Sequence, residues 1–362
     1  MNNSLRLFLE LLVLSIMYWV IIFSLYAVIR YNGLEEELSF YTDDELFLPI
    51  NLWHKITLIM GLIVGFFYAI IEWFFDRFLT QKLVLGAIII IKIMLYISII
   101  TSLLVITVSL LEEHGDIDLP NDLDSWHTNS LFLNFGAYFI LMSIVFLFIR
   151  ITNEKFGRGV LLNMLIGKYK QPKEEERILM FLDLKDSTTI AEKLGHKLYS
   201  KFIQNCFSDL DRILYNYQAE IYQYVGDEAV ISWSPKKGFN NNNCINLFFA
   251  FQTVLKSKTK YYTKKYNYVP EFKAGIHFGK LIIAEVGTIK KEIAYHGDVI
   301  NTTARIQGLC NRYNSVLLIS EFLLQRSTIK LNYTANFIGN LTLKGKEEKL
   351  KIYSIEIKKS DS

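Results

Sequence analysis

The chain has 362 residues, which predicts two or three domains, and 51% of them are hydrophobic, more than a soluble protein of this length needs. Its formal net charge is only +3, so the charge balance gives no indication of nucleic acid or another polyanion as a partner. The three cysteines are isolated and have no C-x-x-C spacing, which argues against a disulfide framework or a zinc ribbon and fits a reducing compartment.

Four long apolar runs precede residue 152, and each is near or above the roughly 20 residues that a membrane-spanning helix requires. The runs cover residues 5–29, 53–75, 83–111 and 131–149. We therefore predict a four-helix transmembrane region in residues 1–151. The first helix should remain in the mature protein, because its apolar core is longer than that of a secretory signal.

The loops between these runs differ in charge. Arg77 and Lys82 lie between the second and third runs, and basic residues follow the fourth. The loops around residues 35–45 and 112–124 are acidic and almost free of lysine and arginine. The positive-inside rule then predicts a multi-pass protein of the plasma (inner) membrane, with its N-terminus and its C-terminal domain in the cytoplasm.

Glu72 and Lys92 are ionisable residues within the second and third predicted helices. Charges at such depth are costly and usually face a partner. Two interpretations remain open at this point. The two side chains pair across the helices, or each one snorkels to the membrane surface.

Residues 152–176 form a connector between the membrane region and the C-terminal domain at 177–362. The connector contains several glycines and a short apolar patch at 160–166 with helical spacing. This patch is too short to cross a bilayer, so it lies at the membrane surface or packs on a second chain.

Two segments of the C-terminal domain bring acidic side chains to strand ends. The run I-L-M-F-L-D-L at 178–184 is an apolar strand pattern that stops at Asp183. The run at 220–233 has β-branched and aromatic stretches on both sides of Gly-Asp-Glu, which predicts a tight hairpin with Asp227 at its tip. The two carboxylates, placed side by side at a sheet edge, predict a site for Mg²⁺ or Mn²⁺. Glu228 is interpreted as part of the turn.

A phosphate cradle is expected just after Asp183. The loop formed by Lys185, Asp186, Ser187 and Thr188 leads into T-I-A-E at 189–192, a capping-box spacing that predicts a helix start. The main-chain N–H groups of such a start would point toward a bound cation and its phosphates. Apolar residues at helical spacing then predict one helix that continues through Gly195 to residue 214.

The remaining pattern alternates between helices and strands. It predicts a helix over 244–266, a hairpin over 272–286 that turns near Gly279, a helix over 298–313, a strand over 317–320 and a final hairpin over 341–357. Asn301 and Arg305 lie one turn apart on the helix that begins at 298, so they share a face. Lys344, in L-K-G-K, can add positive charge for a polyphosphate.

Five motifs together resemble the catalytic domain of the class III nucleotidyl cyclases. They are F-L-D-L-K-D-S-T, Y-V-G-D-E-A-V, G-I-H-F-G-K, H-G-D-V-I-N-T-T-A-R and L-K-G-K, in the order and approximate spacing of that family, over about residues 177–357. The resemblance implies a four-helix membrane region fused to an α+β, ferredoxin-like cyclase domain. The diguanylate cyclases of the GGDEF type are a rival family, but they have no counterpart of Asn301, Arg305 and Lys344.

The resemblance also implies roles for individual residues. Asp183 and Asp227, with the carbonyl of Leu184, would be ligands of two Mg²⁺ or Mn²⁺ ions in each site. Asn301 would orient the ribose, Arg305 would stabilise charge at the α-phosphate, and Lys344 would bind phosphate. In this family the site is shared in a head-to-tail dimer, so a homodimer is implied, with the aspartates from one chain and the other groups from its partner.

Two positions depart from the family pattern. Gln223 stands where adenylate-forming members usually carry lysine, and Ala294 stands where they usually carry aspartate or threonine. The glutamate that typifies guanylate-forming members is also missing at position 223, so conversion of ATP to cyclic AMP is the favoured expectation. The alternatives are a guanylate cyclase that uses GTP and a membrane receptor or scaffold that binds nucleotide without turnover.

Overall fold

The computed structural model of the chain describes residues 3–38, 50–80, 83–113, 130–156, 160–328, 333–342 and 349–358. The chain divides into two compact units, Met1–Lys155 and Phe156–Ser362. Each unit has its own hydrophobic core.

The first unit consists of long apolar helices. They are α1 (Asn3–Leu38), α2 (Ile50–Phe78), α3 (Leu85–Glu113) and α4 (Ser130–Phe156). Each contains a stretch of 20 to 25 residues that is long and apolar enough to cross a membrane, which confirms the prediction of four such helices. Lys82 and the predicted acidic loop segments at 39–45 and 114–124 lie outside the described residues.

Glu72 and Lys92 form an ion pair inside this unit. Lys92 Nζ donates to Glu72 Oε2 at 3.0 Å, and the Glu72 side chain is only 1% exposed. Arg150 of α4 donates from its Nε to the same oxygen at 3.0 Å. The Nη2 of Arg150 also donates to Asp76 Oδ2 at 2.6 Å. The pairing interpretation is therefore confirmed, and the snorkelling interpretation of Glu72 and Lys92 is wrong.

The second unit is an α+β domain. Its elements are α5 (Val160–Leu165), β1 (Lys173–Leu184), α6 (Ser187–Leu214), β2 (Glu220–Val225), β3 (Glu228–Trp233), α7 (Pro235–Phe239), α8 (Asn243–Ser257), α9 (Thr259–Tyr266), β4 (Phe272–Val286), β5 (Glu292–His296), α10 (Asp298–Gly308), β6 (Leu317–Ser320), α11 (Glu321–Arg326), β7 (Tyr333–Thr342) and β8 (Lys349–Ile357). The strands form one mixed sheet in the order β2-β3-β1-β4-β6-β8-β7, and β5 pairs with β4. Only β4 and β6 run parallel among these pairs.

The two faces of the sheet have different coverings. Because successive strand residues point to opposite faces, Ile178, Met180 and Leu182 of β1 enter the main core with α6, α8 and α9. Leu179 lies on the other face, in a smaller cluster with Val299 of α10. Asp183 shares this second face with Leu179, so the strand pattern delivers the carboxylate to the α10 side of the sheet.

The predicted hairpin over 272–286 is wrong. These residues form the single strand β4, and the chain turns only at 287–291, before β5. Gly279 is not a turn residue. A Cβ added there would lie 2.7 Å from Val299 Cγ2, so this glycine makes room for α10 on the face of the strand.

Several predicted helix boundaries also need correction. The helix after Asp183 begins at Ser187 rather than at residue 189, because Asp186 adopts a left-handed conformation (φ 57°) and the Ile190 amide already donates to its carbonyl. Gly195, at φ 70° and ψ 159°, breaks this helix, so the apolar pattern covers two helical segments. The predicted helix over 244–266 is broken at Lys258, and α10 ends at Gly308 instead of 313.

Candidate active site

The strand register places Glu228, Asp183 and Lys273 in one row across the sheet. Asp183 of β1 lies directly opposite Glu228 of β3 on one side and opposite Lys273 of β4 on the other. Cross-strand partners share a face, so all three point toward the α10 side. Asp227 belongs to the two-residue turn that joins β2 to β3, where Gly226 supplies the positive φ of 61°.

Two nitrogen donors hold the carboxylate of Asp183. Lys273 Nζ lies 3.2 Å from Asp183 Oδ2, and Gln307 Nε2 of α10 donates to the same oxygen at 3.0 Å. The carboxylate is thus fixed by a neighbouring strand and by a helix. The Asp183 carboxylate is half-buried, and a charged donor on one side and a neutral donor on the other fix its orientation.

The acidic groups of the row are close enough to repel one another. Burial raises the pKa of the Asp183 carboxyl, and the charge of Asp227 raises it further. Hydrogen bonds from Lys273 and Gln307 lower this pKa, but it remains above its ordinary value. Burial also raises the pKa of Glu228 to about 7, together with the charges of Asp183 and Asp227. A cation placed among these carboxylates would remove the repulsion.

The donor set fits a hard divalent cation that takes most of its ligands from a bound phosphate compound and water rather than from the protein. Among the residues that the structure describes, no three His, Cys, Asp or Glu side chains gather closely enough to form a complete metal site. Mg²⁺ typically takes one or two protein carboxylates and completes its shell with phosphate oxygens and water. Asp183 and Asp227, with the nearby carbonyl of Leu184, match that incomplete set.

A groove with a volume of about 570 Å³ runs beside Asp227, between α6 and the β2–β3 turn. Tyr199 of α6 lines it, and burial together with the charge of Asp227 raises the pKa of this tyrosine to about 12. Ser187, at the start of α6, is close enough to Tyr199 to lower this pKa. The predicted phosphate cradle, residues 185–188, therefore borders the acidic groups, although the side chain of Lys185 pairs with Glu271 at 3.2 Å.

Helix α10 sits directly on β4 because of a glycine. A Cβ at Gly275 would lie 2.4 Å from the main-chain nitrogen of Gln307, closer than any side chain allows. This contact carries Gln307 to Asp183. Asn301 is exposed and Arg305 is half-buried, and no hydrogen bond or ion pair joins either of them to Asp183 or Asp227 within the described part of the chain.

Comparisons with known proteins identify the domain. Residues 169–357, about half of the chain, match the Adenylate and Guanylate cyclase catalytic domain family. The chain belongs to this family. Adenylate cyclase 2 of Rhizobium meliloti is 34% identical over 223 residues, which cover 62% of this chain and 61% of that protein.

More distant relatives agree with the cyclase family. The terminal-differentiation specific adenylate cyclase of Dictyostelium discoideum is 25% identical over 180 residues, 49% of this chain and 8% of that protein. The fold is similar to that of a bacterial light-regulated adenylyl cyclase, with a TM-score of 0.53 at 17% identity over 64% of this chain and 66% of that one. The chain thus spans less than two thirds of the length of these curated relatives.

The structure brings some of the predicted cyclase residues together and leaves others apart. Asp183, near the end of β1, is close enough to Asp227 for that charge to raise its pKa, whereas Asn301 and Arg305 lie on the outer side of α10. Gln223 of β2 and Ala294 of β5 are on strands that contact each other through their neighbouring tyrosines. Lys344 lies outside the described residues.

Three residues of the acidic site escaped the sequence reasoning. The sequence places Glu228 in the turn, but in the structure it is the first residue of β3 and lies opposite Asp183. Lys273 could be found only from the β1–β4 register. Gln307 did give a signal, because it is a large polar residue on the inner face of α10, where the other buried side chains are aliphatic or threonine.

Proposed function

We propose that this chain is a membrane-bound nucleotidyl cyclase that converts ATP to 3′,5′-cyclic AMP and pyrophosphate. The active site would be shared between two copies of the chain, so that the working enzyme is a homodimer. Residues 177–362 would form the catalytic part, 152–176 a connector and 1–151 the membrane region. The chain would lie in the plasma membrane, with its N-terminus and its catalytic part in the cytoplasm.

The observation that carries this proposal is the division of site residues between the two sides of α10. Gln307 on the inner side holds Asp183 of its own chain. Arg305, two residues earlier, is turned roughly 200° away from Gln307 around the helix axis. Gly275 lets α10 pack tightly against β4 with the Gln307 side toward the sheet, so Arg305 is directed away from Asp183 of its own chain. A second copy in a closed two-fold arrangement can supply Asn301 and Arg305 instead.

The residues of the first copy would hold the metal and the triphosphate. Asp183, Asp227 and the carbonyl of Leu184 would hold two Mg²⁺ or Mn²⁺ ions, which would lower the pKa of the ribose 3′-hydroxyl and neutralise the phosphates. The ammonium of Lys273, beside Asp183, adds positive charge close to that site. The N–H groups at the start of α6 would bind further phosphate oxygens, and the side chain of Lys344 would reach the phosphates from the second copy.

The residues of the second copy would orient the reaction. Asn301 would fix the ribose, so that the 3′-oxygen lies in line with the α-phosphorus. This oxygen bonds to the α-phosphorus, the bond from phosphorus to the bridging oxygen breaks, and pyrophosphate leaves while the hydroxyl proton passes to solvent. Arg305 would stabilise the negative charge that develops on the α-phosphate oxygens.

The purine base is the least constrained part of the substrate. Ala294 offers no side-chain hydrogen bond, and the carboxamide of Gln223 can act either as donor or as acceptor. ATP is the proposed substrate because position 223 lacks the glutamate typical of guanylate-forming members and because the curated relatives are named adenylate cyclases.

A turnover assay tests the proposal. The full chain, purified in detergent, is incubated with ATP or GTP and Mn²⁺ or Mg²⁺, and products are identified by chromatography and mass spectrometry. We expect cyclic AMP as the main product, loss of activity in Asp183→Asn and Arg305→Ala, and retained activity in Glu192→Gln, which removes an exposed charge of α6. Mainly cyclic GMP would overturn the substrate assignment, and nucleotide binding without product would support a non-catalytic receptor.

A further inference from the structure

An irregularity in β2 determines which face of the sheet Gln223 occupies. Ile221 pairs with Ile231, but Gln223 pairs with Val230, so Tyr222 is an extra residue without a partner on β3. Ile231 belongs to the helix-covered core. Without the bulge, Gln223 would point to that same covered face, since residues i and i+2 of a strand share a face. The bulge turns Gln223 to the side that carries Asp183 and Glu228.

A tyrosine stack holds the bulge in place. The ring of Tyr222 lies parallel to the ring of Tyr295 on β5, with 4.0 Å between centroids and an interplanar angle of 13°. The main-chain N–H of Tyr295 also donates to the hydroxyl of Tyr222 at 3.1 Å. The Tyr222 side chain therefore contacts β5 both through its ring and through its hydroxyl.

Arg177 of β1 supports the stack from the side. Its guanidinium lies 6.0 Å from the centroid of the Tyr295 ring, and the residue is 9% exposed. Two carboxylates bind it, with Glu175 Oε2 at 2.8 Å and Glu220 Oε2 at 3.3 Å. Because Glu220 is itself on β2, Arg177 ties the start of that strand to β5.

We propose that Tyr222 and Tyr295, supported by Arg177, are positioning residues for the nucleotide base. They hold Gln223 on the active-site face and at a fixed distance from Ala294. This inference rests on the proposed function, because it assumes that the Gln223 and Ala294 segments meet the base. It goes further, because it assigns substrate selectivity to side chains that act through Gln223 rather than by contact with the substrate.

The expected effect is on nucleotide recognition rather than on the chemical step. In Tyr222→Leu, β5 loses its ring partner and its hydrogen bond, and Gln223 loses its fixed orientation. We expect KM for ATP to rise about tenfold, a change of about 1.4 kcal/mol, with kcat changed less than about threefold. The ratio of kcat/KM for ATP to that for GTP should fall. Tyr222→Phe keeps the stack and should give a smaller shift in the same direction.

A double-mutant cycle separates positioning from general loss of structure. If Tyr222 acts through Gln223, the effect of Tyr222→Leu on the ATP to GTP ratio should vanish in a Gln223→Ala background. Tyr333→Leu is the matched control. Tyr333 also forms a stacked aromatic pair, with Phe249 at 5.1 Å, and also uses its hydroxyl, toward Asn246, but it belongs to β7.

The outcomes distinguish this inference from the proposed function. Folded Tyr222→Leu with wild-type KM and selectivity, or with an effect that persists in Gln223→Ala, would overturn the positioning role while leaving the cyclase activity intact. A wild-type chain that forms no product would refute the proposed function instead. In that case, binding of a fluorescent ATP analogue to wild type and Tyr222→Phe still tests the inference, which requires weaker binding by the variant.

Discussion

The buried ion cluster of the membrane region gives a sharp prediction about stability. Glu72 accepts hydrogen bonds from Lys92, Arg150 and the hydroxyl of Tyr96. Within this cluster Asp76 also contacts Arg150, so two acids face two bases and the formal charges cancel. Removing one charge breaks this balance, whereas removing an acid and a base together restores it.

The expected magnitudes follow from this balance. Glu72→Gln leaves the Lys92 ammonium, 7% exposed, without a counter-charge, which costs about 3–5 kcal/mol. Lys92→Met should cost less, because Glu72 keeps Arg150 and Tyr96 as partners. The double variant Glu72→Gln with Lys92→Met leaves the Arg150–Asp76 pair intact and should be more stable than Glu72→Gln alone.

Tryptophan fluorescence during thermal unfolding of the full chain in detergent can measure these differences. Four of the five tryptophans, Trp19, Trp53, Trp73 and Trp126, lie in the first 130 residues, so the signal reports mainly on the membrane region. Lys55→Met removes an exposed lysine of α2 and serves as a control that should change stability by less than about 0.5 kcal/mol. A double variant that is destabilised by the sum of both single changes would refute the charge-balance reasoning.

Two further predictions concern the catalytic unit. Gly275→Ala on β4 would force α10 away from the strand and displace Gln307, so activity should fall by about 10²-fold. Gly308 of α10 has open space around it, so the control variant Gly308→Ala should remain active. Equal activities of the two variants would contradict this role of Gly275. The pKa of Glu228 is about 7 in the folded protein, against an ordinary 4.5, so the folded state retains a proton that the unfolded state has lost. The stability of the metal-free protein should therefore decrease as pH rises from about 5 to 7. Asp227→Asn removes one of the charges that raise this pKa, so it should flatten the decrease. A thiol-reactive dye can follow this unfolding in EDTA, since Cys206, Cys244 and Cys310 are all buried in the catalytic unit; a variant with the same pH slope as wild type would contradict it.

Local patterns in the sequence were sufficient for the long elements. The four apolar helices, the apolar part of the strand that carries Asp183, the hairpin around Asp227 and the strand Leu317–Ser320 all follow from periodicity and turn chemistry, whereas residues 173–176 of that first strand were assigned to the connector. Two of the errors arose at glycines, and one of these glycines has a role that depends on a contact distant in sequence. Gly279 was interpreted as a turn but makes room for Val299, and Gly195 was interpreted as helical but breaks the helix.

The parts of the site that depend on strand register could not be predicted. Lys273 and Glu228 reach Asp183 only because β4 and β3 pair with β1 at specific positions. The bulge at Tyr222 reverses the face of Gln223, and Tyr222 contacts Tyr295, more than 70 residues later in the chain. A single sequence shows the residue types, but it does not show which pairs of strands align them.

The shared active site is the central claim, and complementation between two inactive variants tests it most directly. Asp183→Ala destroys the metal half of every site in its homodimer, and Arg305→Ala destroys the other half. In a heterodimer both lesions fall in one composite site, and the second site combines a native Asp183 with a native Arg305. Random assortment makes about half of the dimers mixed, each with one working site of two, so about a quarter of wild-type cyclase activity should return on coexpression. Heterodimers isolated through two different affinity tags should show about half of the wild-type activity, and isolated heterodimers as inactive as either parent would contradict a site built from two chains.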